Sequence, residues 1–566
     1  MNMRFRNAVV SILMVTLMVA GGSELKAQEV QDNAMKFGRL LRLIDSYYVD
    51  STKVNDLTEK AIVEVLRNLD PHSVYISKEE VAKMNEPLQG NFEGVGISFN
   101  VFHDTLMVVT TVPGGPSEKV GLRAGDRIVQ VDAKVITNIG LKNTDVYDLL
   151  RGKKGTRVDL KIKRKGEPNI MDFTVIRDKI PINSLDASYL LDDHTGYIKL
   201  NKFSATTTSE FNDAIKALKA GSKLNSLVLD LRGNGGGYLT AAIELADQFL
   251  NDSKLVVYTS GLHSEKKEYS ASALGELEQG KLILLIDEGS ASASEIVSGA
   301  IQDWDRGVLI GRRSFGKGLV QQPFPLTDGS MIRLTTAHYY TPTGRCIQKP
   351  YSDDVDAYQK DYLHRMENGE LFSKDSVSLN KAEKYQTKIS KRTVYGGGGI
   401  MPDLFVPLDT SKYYIYYNML NRKNVVASSV LDIMDQNRAS FTEKYPDFKT
   451  YNQKFEVTEE MVDKIIAAGE KAVTELADAD QPDEATDPKA LAKPKEVKKE
   501  TPYKPDVKSI EFARPLLKKQ IKGLIARDLF SLSEYFQVMN ADDDAIKKAV
   551  EVINKKGEYE KILTGK

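Results

Sequence analysis

The 566-residue chain contains one cysteine, one tryptophan and six histidines, and its 78 basic residues are offset by 79 acidic ones. A lone thiol, Cys346, forms no internal disulfide, so no covalent staple holds the fold. The absence of a basic excess argues against nucleic acid as a partner. The histidines (His72, His103, His194, His263, His338 and His364) form no H-E-x-x-H or other close ligand pair, which leaves no zinc motif. No G-x-x-x-x-G-K-[ST] occurs, and the glycine tract "GNGGGYL" at 233–239 fails the dinucleotide spacing because Tyr238 occupies the final glycine position. No cofactor or metal is therefore expected. Long apolar runs are also scarce. The stretch from about Ala8 to Ala20 is short for a bilayer span. Arg4 and Arg6 precede it and small residues follow, the pattern of a secretory signal with a cut after Ala27; an uncleaved N-terminal anchor is the alternative. With no cysteine nearby, a lipid-modified terminus is not expected. Export without disulfides points to the periplasm or envelope of a Gram-negative bacterium.

What is present falls into segments. After the signal (1–27), residues 28–88 carry apolar side chains at three- and four-residue spacing, as in "LTEKAIVEVLRNL", and predict helices. Residues 89–178 switch to short β-branched runs between Gly, Pro and Asp turns, a small β-rich module with one helix at "TDVYDLLRG". From 179 to 350 strand and helix patterns alternate, predicting an α/β core with a mainly parallel sheet. A charged, mostly helix-compatible insertion (351–394) precedes "GGGGIMPDLFVPLD", which returns to the core over 395–408. Residues 409–476 and 509–566 read as helical. Between them, 477–508 is rich in Pro, Lys, Asp and Glu and reads as a linker.

Within the core, "KLILLIDEG" (281–289) reads as a buried strand, "ASEIVSGAIQDW" (293–304) as a helix and "RGVLIG" (306–311) as the next strand. That is a βαβ unit with parallel strands. The turn after the first strand holds Ser290, Ser292 and Ser294, and the turn after the second holds Lys317 between Gly316 and Gly318. A third strand, "LNSLVLDLR", ends in the glycine tract. All three turns follow strand carboxyl ends, the edge where open α/β sheets place ligands. Ser292 has two readings. "Ser292-Ala-Ser-Glu295" is a capping box, in which the hydroxyl merely satisfies backbone amides; equally, a serine at a helix N-terminus sits beside N–H groups able to hold an oxyanion. With no histidine nearby, its candidate base is Lys317. A solvated lysine, with a pKa near 10.4, cannot serve. Burial lowers that value, and reaching about 7 costs roughly 4–5 kcal/mol of lost ammonium solvation. The alternative is an ordinary solvated loop lysine. The glycine tract fits an oxyanion hole better than a phosphate cradle. For a triad with a distant histidine, His338 in "TTAHYY" is the best remaining candidate; the alternative is a packed or hydrogen-bonded strand residue.

"GSASASEIVSGAIQD" followed by "GRRSFGKGLVQ" resembles the carboxyl-terminal processing proteases, tail-specific endopeptidases with a Ser–Lys dyad. "LDPHSVYIS", "GVGISF", "GLRAGDRIVQVD", "LRGKKGT", "LDLRGNGGG", "YYTPTGRCIQ" and "GIMPDLFVP" occur in the order of that family, so the resemblance spans about residues 35–410. It implies a multidomain α/β protein: a ClpP/crotonase-like protease core, an inserted β-rich PDZ domain at 89–178, and helical N- and C-terminal regions. It further implies Ser292 as nucleophile, Lys317 as general base, Gln321 as the residue orienting that base, and the amides of Ala293 and Gly236 as the oxyanion hole. Asp303 matches a carboxylate that matters in some members, or simply closes its helix in a polar turn.

For the PDZ domain, the resemblance implies that the amides around Gly94, Val95, Gly96 and Ile97 receive a peptide's terminal carboxylate. The following strand would pair with the peptide, and Ile97, Phe99 and Leu149 or Leu150 would accept apolar side chains. Arg151 contacts the carboxylate in this reading, or is a surface residue. Expected partners are proteins with apolar C-termini, with an adaptor lipoprotein or a second copy of the chain as further candidates for the regions outside the shared motifs. Two other functions compete. A non-catalytic PDZ scaffold would have no reason to keep Ser292, Lys317 and Gln321 together, and a crotonase-like acyl-transfer enzyme would want a nucleotide cradle.

Overall fold

The structure is a computed structural model that describes residues 28–102, 104–251, 253–273, 275–351, 358, 360–377, 383–408, 414–475 and 505–565. The signal at 1–27 and most of the linker at 477–508 lie outside the described residues. The chain divides into two compact units, one of Met1–Lys78 with Gln322–Thr335, the other of Glu79–Gln321 with Thr336–Lys566.

In the first unit, helices at 28–47 and Val54–Arg67 precede a short strand, Val74–Ile76, which pairs antiparallel with Met331–Arg333. The "LDPHS" turn is built on the Asp70 carboxylate. It accepts from the amides of His72 and Ser73 at 2.7 and 2.9 Å and from the Ser73 hydroxyl at 2.5 Å. Such an Asx-type turn explains why a polar Asp70 is tolerated in a buried position.

The second unit begins with the β-rich module. Strands Ile97–Phe102, Thr105–Thr111, Arg127–Val131, Arg157–Lys163 and Met171–Ile176 form one antiparallel sheet, with helix Asn143–Leu150 against it. The period-two pattern of "RVDLKIK" buries Val158, Leu160 and Ile162 and leaves the residues between them outside the core. One side of this module rests on helix Val425–Lys444: Met107 and Val109 touch Leu431, and Arg127 pairs with Asp435 at 3.1 Å.

The α/β core is a six-stranded sheet of β1 (Leu185–Leu190), β2 (Thr195–Leu200), β3 (Ser226–Asp230), β4 (Lys281–Ile286), β5 (Val308–Gly311) and β6 (Leu404–Phe405), in that spatial order. Strand β1 runs antiparallel to β2 and the rest are parallel. Strands buried on both faces need no polar alternation, which is why β3 and β4 read as near-continuous aliphatic runs. One face carries Ile198, Leu227, Leu229, Leu284 and Leu309 against helices α1 (Thr207–Gly221), α2 (Leu239–Asp247) and α3 (Ala293–Asp303). The opposite face carries Tyr197, Val228, Ile283, Leu285, Val308 and Ile310, and is covered by α4 (Asp544–Asn554) and α5 (Glu558–Thr564).

Three features differ from the sequence expectation. Strands Leu255–Gly261 and Ser264–Ser270 pair with each other, and the former with the end of Met331–Tyr340, in a separate antiparallel sheet. The outer strand, "SEKKEYS", is mostly solvent-facing and carries no aliphatic signal to read. In the insertion, the described residues form one helix of substance, Asp361–Glu367, a 3₁₀ turn and a short hairpin (Lys384–Gln386 with Thr393–Tyr395) rather than a mainly helical segment. The C-terminal helical region is also split. Val507–Leu529 and Leu532–Asn540 share a core with helices between Tyr414 and Glu475, whereas α4 and α5 belong to the sheet.

Candidate active site

The turns after β3, β4 and β5 meet at one edge of the sheet. The three serines between β4 and α3 do different things. The Ser290 hydroxyl donates to Leu231 O at 2.8 Å, and the Ser294 hydroxyl donates to Asn234 O at 2.8 Å, so both lace this turn to the glycine tract. Ser292 stands at the N-cap of α3 with its hydroxyl making no cap bond. Its backbone has a φ of 55° and ψ of −112°, a region that costs a non-glycine residue about 1–3 kcal/mol and that the surroundings must hold. The tract approaches closely. A Cβ on Gly236 (φ 101°) would lie 2.8 Å from the Ser292 Cβ and 3.0 Å from the Ala293 nitrogen, so only glycine leaves room there.

Glu295, one turn into α3, organises the centre. Its Oε2 accepts from the Ser292 amide at 2.8 Å and the Lys317 amide at 2.9 Å, and its Oε1 accepts from the Ser314 hydroxyl at 2.5 Å and the Gly316 amide at 2.7 Å. Burial pushes its pKa up, opposed by these four donors, which favour the carboxylate. From the other side, the Tyr339 hydroxyl reaches Lys317 O at 2.6 Å and Ser292 O at 3.1 Å. Burial, followed by the nearby Glu295 charge, drives that phenol's pKa far above its ordinary value, so it stays protonated. Two side chains thus bracket the backbones of Ser292 and Lys317. Lys317 Nζ donates to Gln321 Oε1 at 3.0 Å.

Ser292, Ala293, Gly236, Lys317 and Gln321 are therefore brought to one place. The Gly236 amide is engaged, donating to Asn234 Oδ1 at 2.9 Å, so it is not a ready oxyanion donor in this arrangement. Asp303 is elsewhere. It is fully buried at the far end of α3, pairs with Arg345 at 2.7 Å, and accepts from the Thr343 amide and hydroxyl at 2.9 and 2.7 Å. It closes the helix and does not face Ser292. His338 neighbours Tyr339 on an extended strand, and so points away from the site; its Nδ1 lies 3.9 Å from the Cys346 sulfur. Sequence reading missed Glu295 and Tyr339 as anchors. The first was visible as the acid of the capping box, whereas nothing in "TTAHYY" distinguishes the second. It also missed the buried pair after β3, where Arg232 meets Asp230 at 2.7 Å and Asp543 at 2.8 Å. Burial alone would raise the Asp230 pKa, but Arg232 and Lys199 outweigh it and bring the value down to about 2.

In the β-rich module, Val95, Gly96, Ile97, Phe99 and Arg151 line a small apolar pocket together with Leu150; Gly94 is the last residue of the adjoining strand and lies outside that lining. Gly96 has a φ of 76°, and a Cβ there would come within 2.9 Å of Ile180. Arg151 is half-buried, paired with Glu86 at 2.5 Å and stacked 4.9 Å from the rings of both Phe92 and Tyr147.

Among the described residues there is no cluster of three or more His, Cys, Asp or Glu placed to hold a metal, and no helix long and apolar enough to cross a membrane. Residues 194–357 match peptidase family S41, residues 107–164 match the PDZ domain, and residues 416–531 match a family of unknown function. A carboxy-terminal-processing protease of Bartonella bacilliformis is 38% identical over 325 residues, covering 57% of this chain and 74% of that protein. The carboxy-terminal processing protease CtpB of Bacillus subtilis is 31% identical over 422 residues, covering 73% of this chain and 86% of its own length. The solved photosystem II D1 C-terminal processing protease is 31% identical, with 55% of this chain and 89% of that one covered at a TM-score of 0.32. The chain belongs to the carboxy-terminal processing proteases of peptidase family S41, and it is a serine-type peptidase carrying a PDZ domain.

Proposed function

We propose that the protein cleaves proteins from apolar C-termini with Ser292 as nucleophile and Lys317 as general base, in a core of the ClpP/crotonase type. The observation that carries this reading is the shared anchoring of Ser292 and Lys317: one Glu295 oxygen holds both amides, one phenol holds both carbonyls, and Gln321 holds the lysine head. The Ser292 Oγ attacks the scissile carbonyl carbon while its proton passes to the neutral Lys317 amine. The oxyanion forms opposite the Ala293 N–H at the start of α3, where the helix dipole favours negative charge. Gly236 supplies a second donor by exchanging Asn234 Oδ1 for the oxyanion. Collapse breaks the C–N bond, and the Lys317 ammonium returns the proton to the leaving amine. Water then attacks the acyl ester, giving its proton to the same lysine, and Ser292 is regenerated. Gln321 is a positioning residue in this scheme.

The PDZ pocket around Ile97 and Phe99 receives the apolar terminal side chain of the substrate, and the signal-like N-terminus sends the enzyme to the cell envelope. With a purified unstructured substrate ending in apolar residues, Ser292→Ala and Lys317→Ala should each abolish cleavage. Activity surviving either change would remove the dyad. Amidating the substrate's C-terminus should raise KM; an unchanged KM would remove the PDZ role.

A further inference from the structure

The loop that carries Lys317, Arg312–Gly318, is irregular backbone, so its carbonyls lack ladder partners and must be satisfied by other groups. Glu295, from α3, holds the N–H groups of Gly316 and Lys317, while their carbonyls accept from the Lys349 amide and the Tyr339 hydroxyl. On the preceding three residues the donor comes from the insertion. Arg365, in helix Asp361–Glu367, is buried, and its guanidinium Nη1 lies 2.9 Å from Ser314 O and 3.3 Å from Arg313 O, with Nη2 3.3 Å from Phe315 O. One planar fork thus spans three successive carbonyls, a task for which lysine has the wrong shape.

A buried guanidinium is costly unless it is paired. Arg365 Nε meets Asp361 at 3.0 Å, and Glu370 lies 3.7 Å away. Those two acids also grip the loop by other routes. Glu370 receives both arms of Arg313 at 2.6 and 2.7 Å. Asp361 receives Lys349 at 2.9 Å, and the Lys349 ammonium sits 3.9 Å from the Phe315 ring and 4.1 Å from the Tyr358 ring. The Lys349 amide in turn donates to Gly316 O at 2.9 Å. Every residue from Arg313 to Lys317 therefore has a backbone or side-chain tether, and the insertion supplies the donors to the carbonyls of Arg313, Ser314 and Phe315.

We propose that the insertion acts as a clamp on the base-bearing loop, with Arg365 as the positioning residue that sets where Lys317 presents its amine. This rests on Lys317 being the base. A base displaced by an ångström or so costs turnover of about 10²-fold with little effect on substrate capture, which takes place at the PDZ pocket.

The test uses the full mature chain carrying Arg365→Ala or Arg365→Lys, with Lys317→Ala alongside. Arg365→Ala is expected to lower kcat about 10²-fold with KM nearly unchanged, and to speed hydrogen exchange at the amides of 313–318 while α3 amides keep wild-type protection. Where Arg365→Ala does not fold, Arg365→Lys decides. It keeps the charge beside Asp361 and Glu370 but offers one nitrogen to three carbonyls, so kcat should still fall with KM held. Wild-type kcat in the folded variant, or a loss confined to KM, overturns the clamp. An active Lys317→Ala enzyme overturns the dyad instead, whatever Arg365 does.

Discussion

Glu295 shows how a single side chain can be read correctly and still be misunderstood. From the sequence, "SASE" looks like a capping box, a reading that competes with catalysis for Ser292. In the structure only the acid half of the box serves: Glu295 accepts from the Ser292 amide, while the serine hydroxyl makes no cap bond. The two readings are therefore compatible, because the cap that fixes the turn leaves the hydroxyl unspent. The rest of the role, reaching Ser314, Gly316 and Lys317, joins residues about twenty positions apart and has no local signature. Glu295→Gln tests this. The new amide nitrogen must face N–H or O–H donors where an oxygen now accepts, orphaning buried groups at about 1–3 kcal/mol each. We expect a lowered Tm and a kcat loss of about 10²-fold, with KM little changed, since the backbones of Ser292 and Lys317 shift together. A Glu295→Gln enzyme with wild-type kcat would mean that the backbone anchoring does not set the chemistry.

The strand-to-helix turns carry the site, and their glycines divide sharply. Gly236 and Gly237 have φ of 101° and 150°, and a Cβ on Gly237 would fall 1.9 Å from Phe203 O. Gly235, between them and Asn234, has open space where its Cβ would go and no left-handed φ. Gly235→Ala should therefore keep Tm and fold, whereas Gly236→Ala should remove activity by pushing Ser292 and the Ala293 amide apart; equal behaviour of the two variants would refute this division. The sequence shows a glycine tract at the right edge of the sheet but not which members are obligatory, because that depends on what faces each Cα. The parallel strands are readable for the opposite reason. Buried on both faces, they carry unbroken aliphatic runs, whereas "SEKKEYS" pairs on an exposed sheet with nothing to mark it. The insertion's helix carries its information in Arg365 and its partners, ordinary charged residues until the loop carbonyls they meet are known.

The last two helices, α4 and α5, complete a core whose strands lie far behind them in the sequence. The residues of α4 and α5 have a clear helical period, but their partner strands begin more than two hundred positions earlier, a pairing that periodicity cannot reveal. Ala545, Ile546, Ala549, Val552 and Ile553 cover the sheet face formed by Tyr197, Val228, Ile283, Leu285, Val308 and Ile310. Tyr559 seals the margin through bonds to Leu282 O and Arg306 O, both at 3.2 Å. Just before α4, Asp543 pairs with Arg232, at the head of the glycine tract, so this cover also braces the turn that faces Ser292. A chain ending at Asn540 would keep Ser292, Lys317 and the whole PDZ domain yet expose that sheet face to water. We expect it to be insoluble or unfolded. Ile553→Ala offers the graded form of the same test. Removing a buried side chain from this layer should cost about 2–5 kcal/mol in urea unfolding, with the kcat of the surviving folded fraction retained because no site residue is touched. A stable, active enzyme lacking residues 541–566 would show instead that the sheet finds other cover and that these helices are an appendage.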